Sequence, residues 1–187
     1  MKPVALHEML GENFFARVTA AQFNSLTKRY RNQDAAKDVS LDTLSDEQWQ
    51  SYFGAFTPFP DSFKTPLALC YHGHQFGNYN PEIGDGRGFL YAQLREDTTN
   101  RLLDLGTKGS GTTPFSRSGD GRLTLKGAVR EILASEYLNA LSVNSCKILS
   151  VFETEEQLHR NDEPSPTRAA VLVRLSHSHI RIGSFQR

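Results

Sequence analysis

The most regular pattern of apolar positions in the chain lies between Leu123 and Leu141. Leu125, Val129, Ile132, Leu133 and Ala140 fall within an arc of ~100° when residues are set at the helical angle, no proline interrupts, and Gly127 is the one glycine. That spacing predicts a long amphipathic helix. Before it, the apolar runs 88–94 and 102–107 flank the polar segment Glu96-Asp97-Thr98-Thr99-Asn100, which predicts a β-hairpin. After it, 146–152 and 169–175 read as strands, and the charged, proline-containing stretch 153–168 reads as a long exposed hairpin loop between them. Strand, strand, helix, strand, strand makes a small α+β sheet with one long helix.

The first part of the chain is less regular. Leu41-Asp42-Thr43-Leu44-Ser45-Asp46-Glu47-Gln48-Trp49 looks like the capped start of a short helix and leads into Tyr52, Phe53, Phe56 and Phe59. Pro58, Pro60 and Pro66 then prevent regular structure and mark a boundary. Residues 1–66 are therefore expected to be an extension of helical pieces and loops. From 67 to 121 there are 10 glycines between short apolar runs, the composition of strands joined by tight turns.

Composition narrows the function. Lys and Arg number 21, as do Asp and Glu, so no net field gathers nucleic acid or an anionic membrane, and neither is expected as a partner. A hydrophobic share of 38% with 12 Phe and 6 Tyr can fill a core. Cys70 and Cys146 are too few for a disulfide framework. With no run of ~18 apolar residues and no apolar signal core at the N-terminus, the chain reads as cytoplasmic.

Several strings can carry chemistry. In Gly84-Asp85-Gly86-Arg87-Gly88 the glycines let backbone approach a phosphate and Arg87 supplies a donor, although so short a motif by itself reads more readily as a tight turn with a solvated arginine. Neither the Rossmann nor the P-loop fingerprint is present. Lys108 stands where a strand gives way to the loop Gly109-Ser110-Gly111-Thr112-Thr113, so it can deliver a point charge to a phosphate; an ordinary loop lysine is the alternative. Gly119-Asp120-Gly121-Arg122 repeats the earlier string, and Asp120 also sits where a helix N-cap would be. On the helix, Glu136 lies within the apolar arc and Glu131 on another side; spacing alone does not choose which one meets Lys108. Arg174 closes an apolar strand and Arg181 follows, a candidate second phosphate clamp if an anion meets them and an exposed edge otherwise. The pairs His72/His74 and His177/His179 lack an accompanying acidic or cysteine ligand set, which argues against zinc. No nucleophile-elbow context supports a hydrolase triad.

Taken together, Tyr71-His72-Gly73-His74-Gln75-Phe76-Gly77, the two Gly-Asp-Gly-Arg strings, the run from Leu105 to Arg117 and Arg130-Glu131-Ile132-Leu133-Ala134-Ser135-Glu136 resemble the selenoprotein O family, in the family's order. The resemblance implies a protein-kinase-like N-lobe over 67–187, a twisted antiparallel sheet with one long helix. It implies binding of ATP in a flipped orientation and transfer of AMP, or in some bacterial members UMP, to Ser, Thr or Tyr hydroxyls of protein substrates. By family register Lys108 is the kinase-type lysine and Glu131 its partner; Gly84, Gly86, Arg87, Asp120 and Gly121 match nucleotide-binding positions, and Arg174 with Arg181 the pair at the buried phosphate end. The family's catalytic aspartate and its Mg²⁺ (or Mn²⁺) ligands belong to a second lobe without counterpart in these 187 residues. The expectation is a lobe that is inactive alone, or a non-catalytic nucleotide-binding module.

Overall fold

The computed structural model describes residues 1–186. In chain order the elements are β1 (Pro3–Val4), β2 (Phe15–Arg17), β3 (Thr27–Arg31), α1 (Gln33–Lys37), α2 (Asp46–Phe53), β4 (Leu67–Gln75), β5 (Asn78–Gly84), β6 (Leu90–Arg95), β7 (Leu102–Lys108), β8 (Leu123–Thr124), α3 (Leu125–Ala140), β9 (Lys147–Leu158) and β10 (Thr167–Ser176), with short 3-10 turns at His7–Leu10, Glu12–Phe14 and Ile182–Phe185. The strands form one antiparallel sheet in the order β2-β4-β6-β7-β10-β9-β3, with β1 on β6, β5 on β4 and β8 on β10. This is an α+β architecture dominated by its sheet.

Alternation along the central strands separates two cores. On β7 and β10, Leu103, Leu105, Val171, Val173 and Leu175 face one side, where they pack with Trp49, Phe53, Phe56, Phe59, Phe89, Tyr91 and Phe152. On the opposite side Ala170 and Leu172 join Leu123, Ile148, Val151 and Ala128 beneath α3. Helix α2 has the capped start that the sequence suggested, and the cap is a capping box: Ser45 Oγ accepts from the Gln48 amide and Gln48 Oε1 from the Ser45 amide. Its Trp49 donates from Nε1 to Ser150 Oγ at 2.9 Å, which satisfies the indole inside the core.

The structure corrects three expectations. The first 66 residues, read as helices and loops, also supply three strands, whose partners β6, β4 and β9 lie far along the chain. Strands this short carry no local period. The segment 153–168 is not one long loop: β9 runs on to Leu158 and β10 begins at Thr167, leaving 159–166 as the connection. A bulge near Glu155, whose φ is 60°, lets the strand pass its charged residues, and the buried Glu153 carboxylate accepts from Arg168 Nε and Nη2 at 2.5 Å and from Arg29 Nε at 2.7 Å. Finally, the stripe of α3 that packs on the sheet is Leu125, Ala128, Ile132 and Ser135, while Val129 and Leu133 are 43% and 65% exposed. Small residues at 128 and 135 let the helix axis approach the sheet, which rotates the larger residues outward.

The hydrogen bonds from Arg168, reinforced by Arg29 and opposed by burial, hold the Glu153 carboxyl at about 2. An acid held below its unfolded value of ~4.3 stabilises the fold above that value and loses the contribution as pH falls toward 2. Glu153→Gln should cost about 2 kcal/mol in urea denaturation at pH 7, with the gap to wild type closing between pH 4.5 and 2. A gap constant over that range would count against the pairing.

Candidate functional site

Lys108 is the last residue of β7, and its period-two neighbours Asp104 and Gly106 share its face of the sheet. Its Nζ pairs with Glu131 of α3, each side chain about a quarter exposed (24% and 26%). Glu136 is turned to the other flank of the helix, where it accepts from Tyr30 Oη at 2.9 Å and Asn32 Nδ2 at 3.2 Å. Burial and that carboxylate push the Tyr30 phenol up to about 12. The two acids thus straddle the buried stripe of α3, and the docking of the helix decides which one faces Lys108.

A cavity of about 670 Å³ opens beside the pair, lined by Arg87, Lys108, Lys126, Arg130, Glu131 and Arg160 among others. A second of about 710 Å³ adjoins it, sharing Arg87 and Arg160, and is lined by Gly84, Gly86, Asp120, Gly121 and Arg122. Among the described residues neither Arg87 nor Arg130 has a carboxylate partner, so the cleft carries uncompensated positive charge suited to a polyanion. Arg174 and Arg181 line a third cavity, of about 320 Å³. Seven of the nine residues singled out in the sequence therefore gather in one continuous cleft, and the remaining two lie together beside it. The first Gly-Asp-Gly-Arg string connects the groups: Arg87 faces Lys108, while Asp85 approaches Arg181 Nη2 at 3.5 Å. Burial pushes the Asp85 carboxyl up, and Arg181 opposes that shift.

The run 109–116 ties to both glycine strings. Thr113 Oγ1 donates to Asp85 O and Ser116 Oγ to Gly86 O, both at 2.5 Å, and the Gly109 amide donates to Arg87 O at 2.7 Å. A Cβ on Gly84 would lie 2.4 Å from Phe115 Cδ2. Gly121 has φ +69°, and its Cβ would meet Gly111 C at 2.3 Å. These glycines let two loops close on one another. Asp120 does not cap α3, which Thr124 caps by accepting from the Gly127 amide at 3.1 Å. Instead Asp120 receives Arg160 in a fork, at 2.7 and 3.1 Å. Burial pushes its carboxyl up, but the Arg160 hydrogen bonds prevail and leave it below the usual range.

Sequence reasoning missed Arg160, Arg130 and Lys126, whose only local signal is charge, and also the buried Asp104 with His179. Gln93 Nε2 donates to Asp104 Oδ1 and the His179 amide to Asp104 Oδ2, each at 2.8 Å. Burial alone would raise the Asp104 carboxyl, yet the donors from His179 and Gln93 hold it low. Of the other histidines, His72 Nδ1 meets Tyr79 Oη at 2.6 Å and His177 Nε2 meets Asn144 Oδ1 at 2.6 Å. Among the described residues no group of three or more His, Cys, Asp or Glu converges as a metal site, and no helix is long and apolar enough to cross a membrane.

In this α+β protein a strand-end lysine, held by a helix carboxylate, borders a cleft lined with arginines, a donor set that can meet an anionic ligand. The chain belongs to the SelO family: the profile described as "Protein adenylyltransferase SelO" matches residues 3–187. It is 53% identical over 182 residues to the protein nucleotidyltransferase YdiU of Trichormus variabilis, covering 96% of this chain and 36% of the relative. It is 52% identical over 183 residues to that of Gloeobacter violaceus (95% and 36%) and 39% identical over 180 residues to that of Teredinibacter turnerae (95% and 36%). The chain spans about a third of the length of these curated relatives.

Gly121→Ala should lower unfolding stability by about 1–3 kcal/mol, because it combines a left-handed backbone with a backbone clash. Gly119→Ala, whose Cβ would meet Ser116 O at 3.0 Å, should cost under ~1 kcal/mol in the same denaturation series.

Proposed function

We propose that this chain is the nucleotide-positioning part, of protein-kinase-like N-lobe architecture, of an enzyme that transfers AMP from ATP to Ser, Thr or Tyr hydroxyls of proteins. The observation that carries the reading is the Lys108–Glu131 pair at the edge of a cation-lined cleft. The succession of lysine strand, glutamate helix and two further antiparallel strands supports the kinase-like reading, as do the family's description and the names of its relatives.

In this reading Glu131 holds the Lys108 ammonium in place, so that Lys108, Arg87 and Arg130 neutralise the phosphates of ATP while the glycine strings border the cleft. Arg174 and Arg181 take the far phosphate end. The hydroxyl oxygen of the target forms a bond to the α-phosphorus, the bond from that phosphorus to the α,β-bridging oxygen breaks, and pyrophosphate leaves with its charge compensated by these cations. In this reading three of the acids near the cations have other work: Glu131 serves Lys108, Asp104 accepts from Gln93 and His179, and Asp85 faces Arg181. The reading therefore assigns the Mg²⁺ or Mn²⁺ ligands, and the base that takes the hydroxyl proton, to the part of the relatives' length that this chain does not span.

Two measurements test the reading. With ATP and UTP labelled at the α-phosphate, the protein extended to the relatives' length should label protein targets, and the preferred donor decides between AMP and UMP. Lys108→Ala should reduce labelling at least about 100-fold, with melting temperature changed by only a few degrees. Lys108→Ala retaining full labelling would remove the assignment. Binding of ATP by the protein extended to the relatives' length, without any labelling, would favour a non-catalytic binding module instead.

A further inference from the structure

The sheet face that carries Lys108 also carries a buried polar chain that the proposed chemistry leaves without a role. Arg174 of β10 lies opposite Gly106 of β7, and Ser176 opposite Asp104. His179, from the segment after β10, lays its ring over Gly106, where a Cβ would stand 1.9 Å from His179 Nε2. The side chains of His179 and Asp104 are 9% and 3% exposed. Arg174 donates from Nε to His179 Nε2 at 3.1 Å, while His179 Nδ1 lies 3.1 Å from Ser176 Oγ and 3.8 Å from Asp104 Oδ2.

These contacts assign the protons. A guanidinium can only donate, so His179 Nε2 must offer its lone pair, and the ring proton sits on Nδ1. The Nδ1–H then points at the Ser176 hydroxyl, with the Asp104 carboxylate behind it, and Ser176 Oγ passes its own proton toward Ser178 O at 3.3 Å. Among the described residues Arg174 has no carboxylate partner, whereas Arg181 has Asp85 within 3.5 Å.

We propose that His179 is the positioning residue for Arg174: its neutral ring, oriented by Ser176 and Asp104, holds the guanidinium by Nε alone and leaves both terminal nitrogens and the full positive charge for a phosphate group. A carboxylate at this place would fix the arginine equally well but cancel the charge that the ligand needs. Burying the anion one side chain further back keeps the geometry and spares the charge. Gly106 is required because any side chain there would expel the ring. The inference rests on the reading of Arg174 as a phosphate-binding cation.

The test separates the two. In the ¹⁵N-labelled protein, long-range NMR correlations should show His179 as the Nδ1–H tautomer, and the Arg174 Nε–H should be slow to exchange with water. His179→Ala should abolish that protection and weaken ATP binding, measured by titration calorimetry, by about tenfold. His179→Gln, which returns an acceptor near the place of Nε2, should recover affinity to within about threefold of wild type. Gly106→Ala should reproduce the His179→Ala defect with both partners still in the sequence, its folding being checked by circular dichroism. An Nε2–H tautomer, or Arg174 exchange that ignores His179→Ala, overturns the positioning role. Arg174→Ala weakening ATP binding while His179→Ala does not also overturns it and leaves the phosphate-clamp reading standing. Arg174→Ala without effect on ATP overturns that reading instead.

Discussion

Period-two alternation on β7 and β10 is the constraint on which the molecule depends. Every second residue of these strands enters the large aromatic core with Trp49, Phe53 and Phe152, so the intervening positions must all fall on the face that α3 covers. On that face the two strands set Asp104, Gly106 and Lys108 beside Ser176, Arg174 and Leu172. A one-residue slip would drive Lys108 and Arg174 into the apolar core and expel Leu105 and Val173. The hydrophobic requirement of one side thereby fixes the chemistry of the other.

Charge is then distributed by how each ionised group is answered. Glu153 is buried between two arginines and serves the sheet. Asp104 is buried among neutral donors and orders a histidine. Asp120 is tied to Arg160 at the mouth of the cleft, and Glu131 steadies Lys108. Arg87, Arg130 and Arg174 are left without carboxylates among the described residues, and they stand around the cavities. Cations without carboxylate partners, grouped around these cavities, give the nucleotide reading its physical basis.

Membership of the SelO family and this geometry bear on different questions. The match over residues 3–187 joins the chain to proteins described as adenylyltransferases and nucleotidyltransferases that are roughly three times its length. The geometry supplies the parts on which the proposed reading draws: a lysine braced from a helix, loops tied together by their own backbone, and an arginine that donates to a histidine ring.

The sequence by itself determined whatever depends on neighbours along the chain. The capped start of α2 at Ser45, the β6–β7 hairpin around 96–100 and the long helix all rest on contacts a few residues apart, and each was legible for that reason. The family motifs likewise marked Lys108, Glu131 and the glycine strings. Tertiary structure decided the rest, because the deciding contacts join distant segments. The strands of the first 66 residues exist only against β6, β4 and β9, and the charged half of β9 is a strand because Arg29 and Arg168 answer Glu153. The helical wheel placed Glu136 in the apolar arc; it was close approach at Ala128 and Ser135 that rotated α3, brought Glu131 to Lys108 and gave Glu136 to Tyr30. Arg160 and His179 carry no local signature, since a lone charge or imidazole acquires a role only from what folds against it.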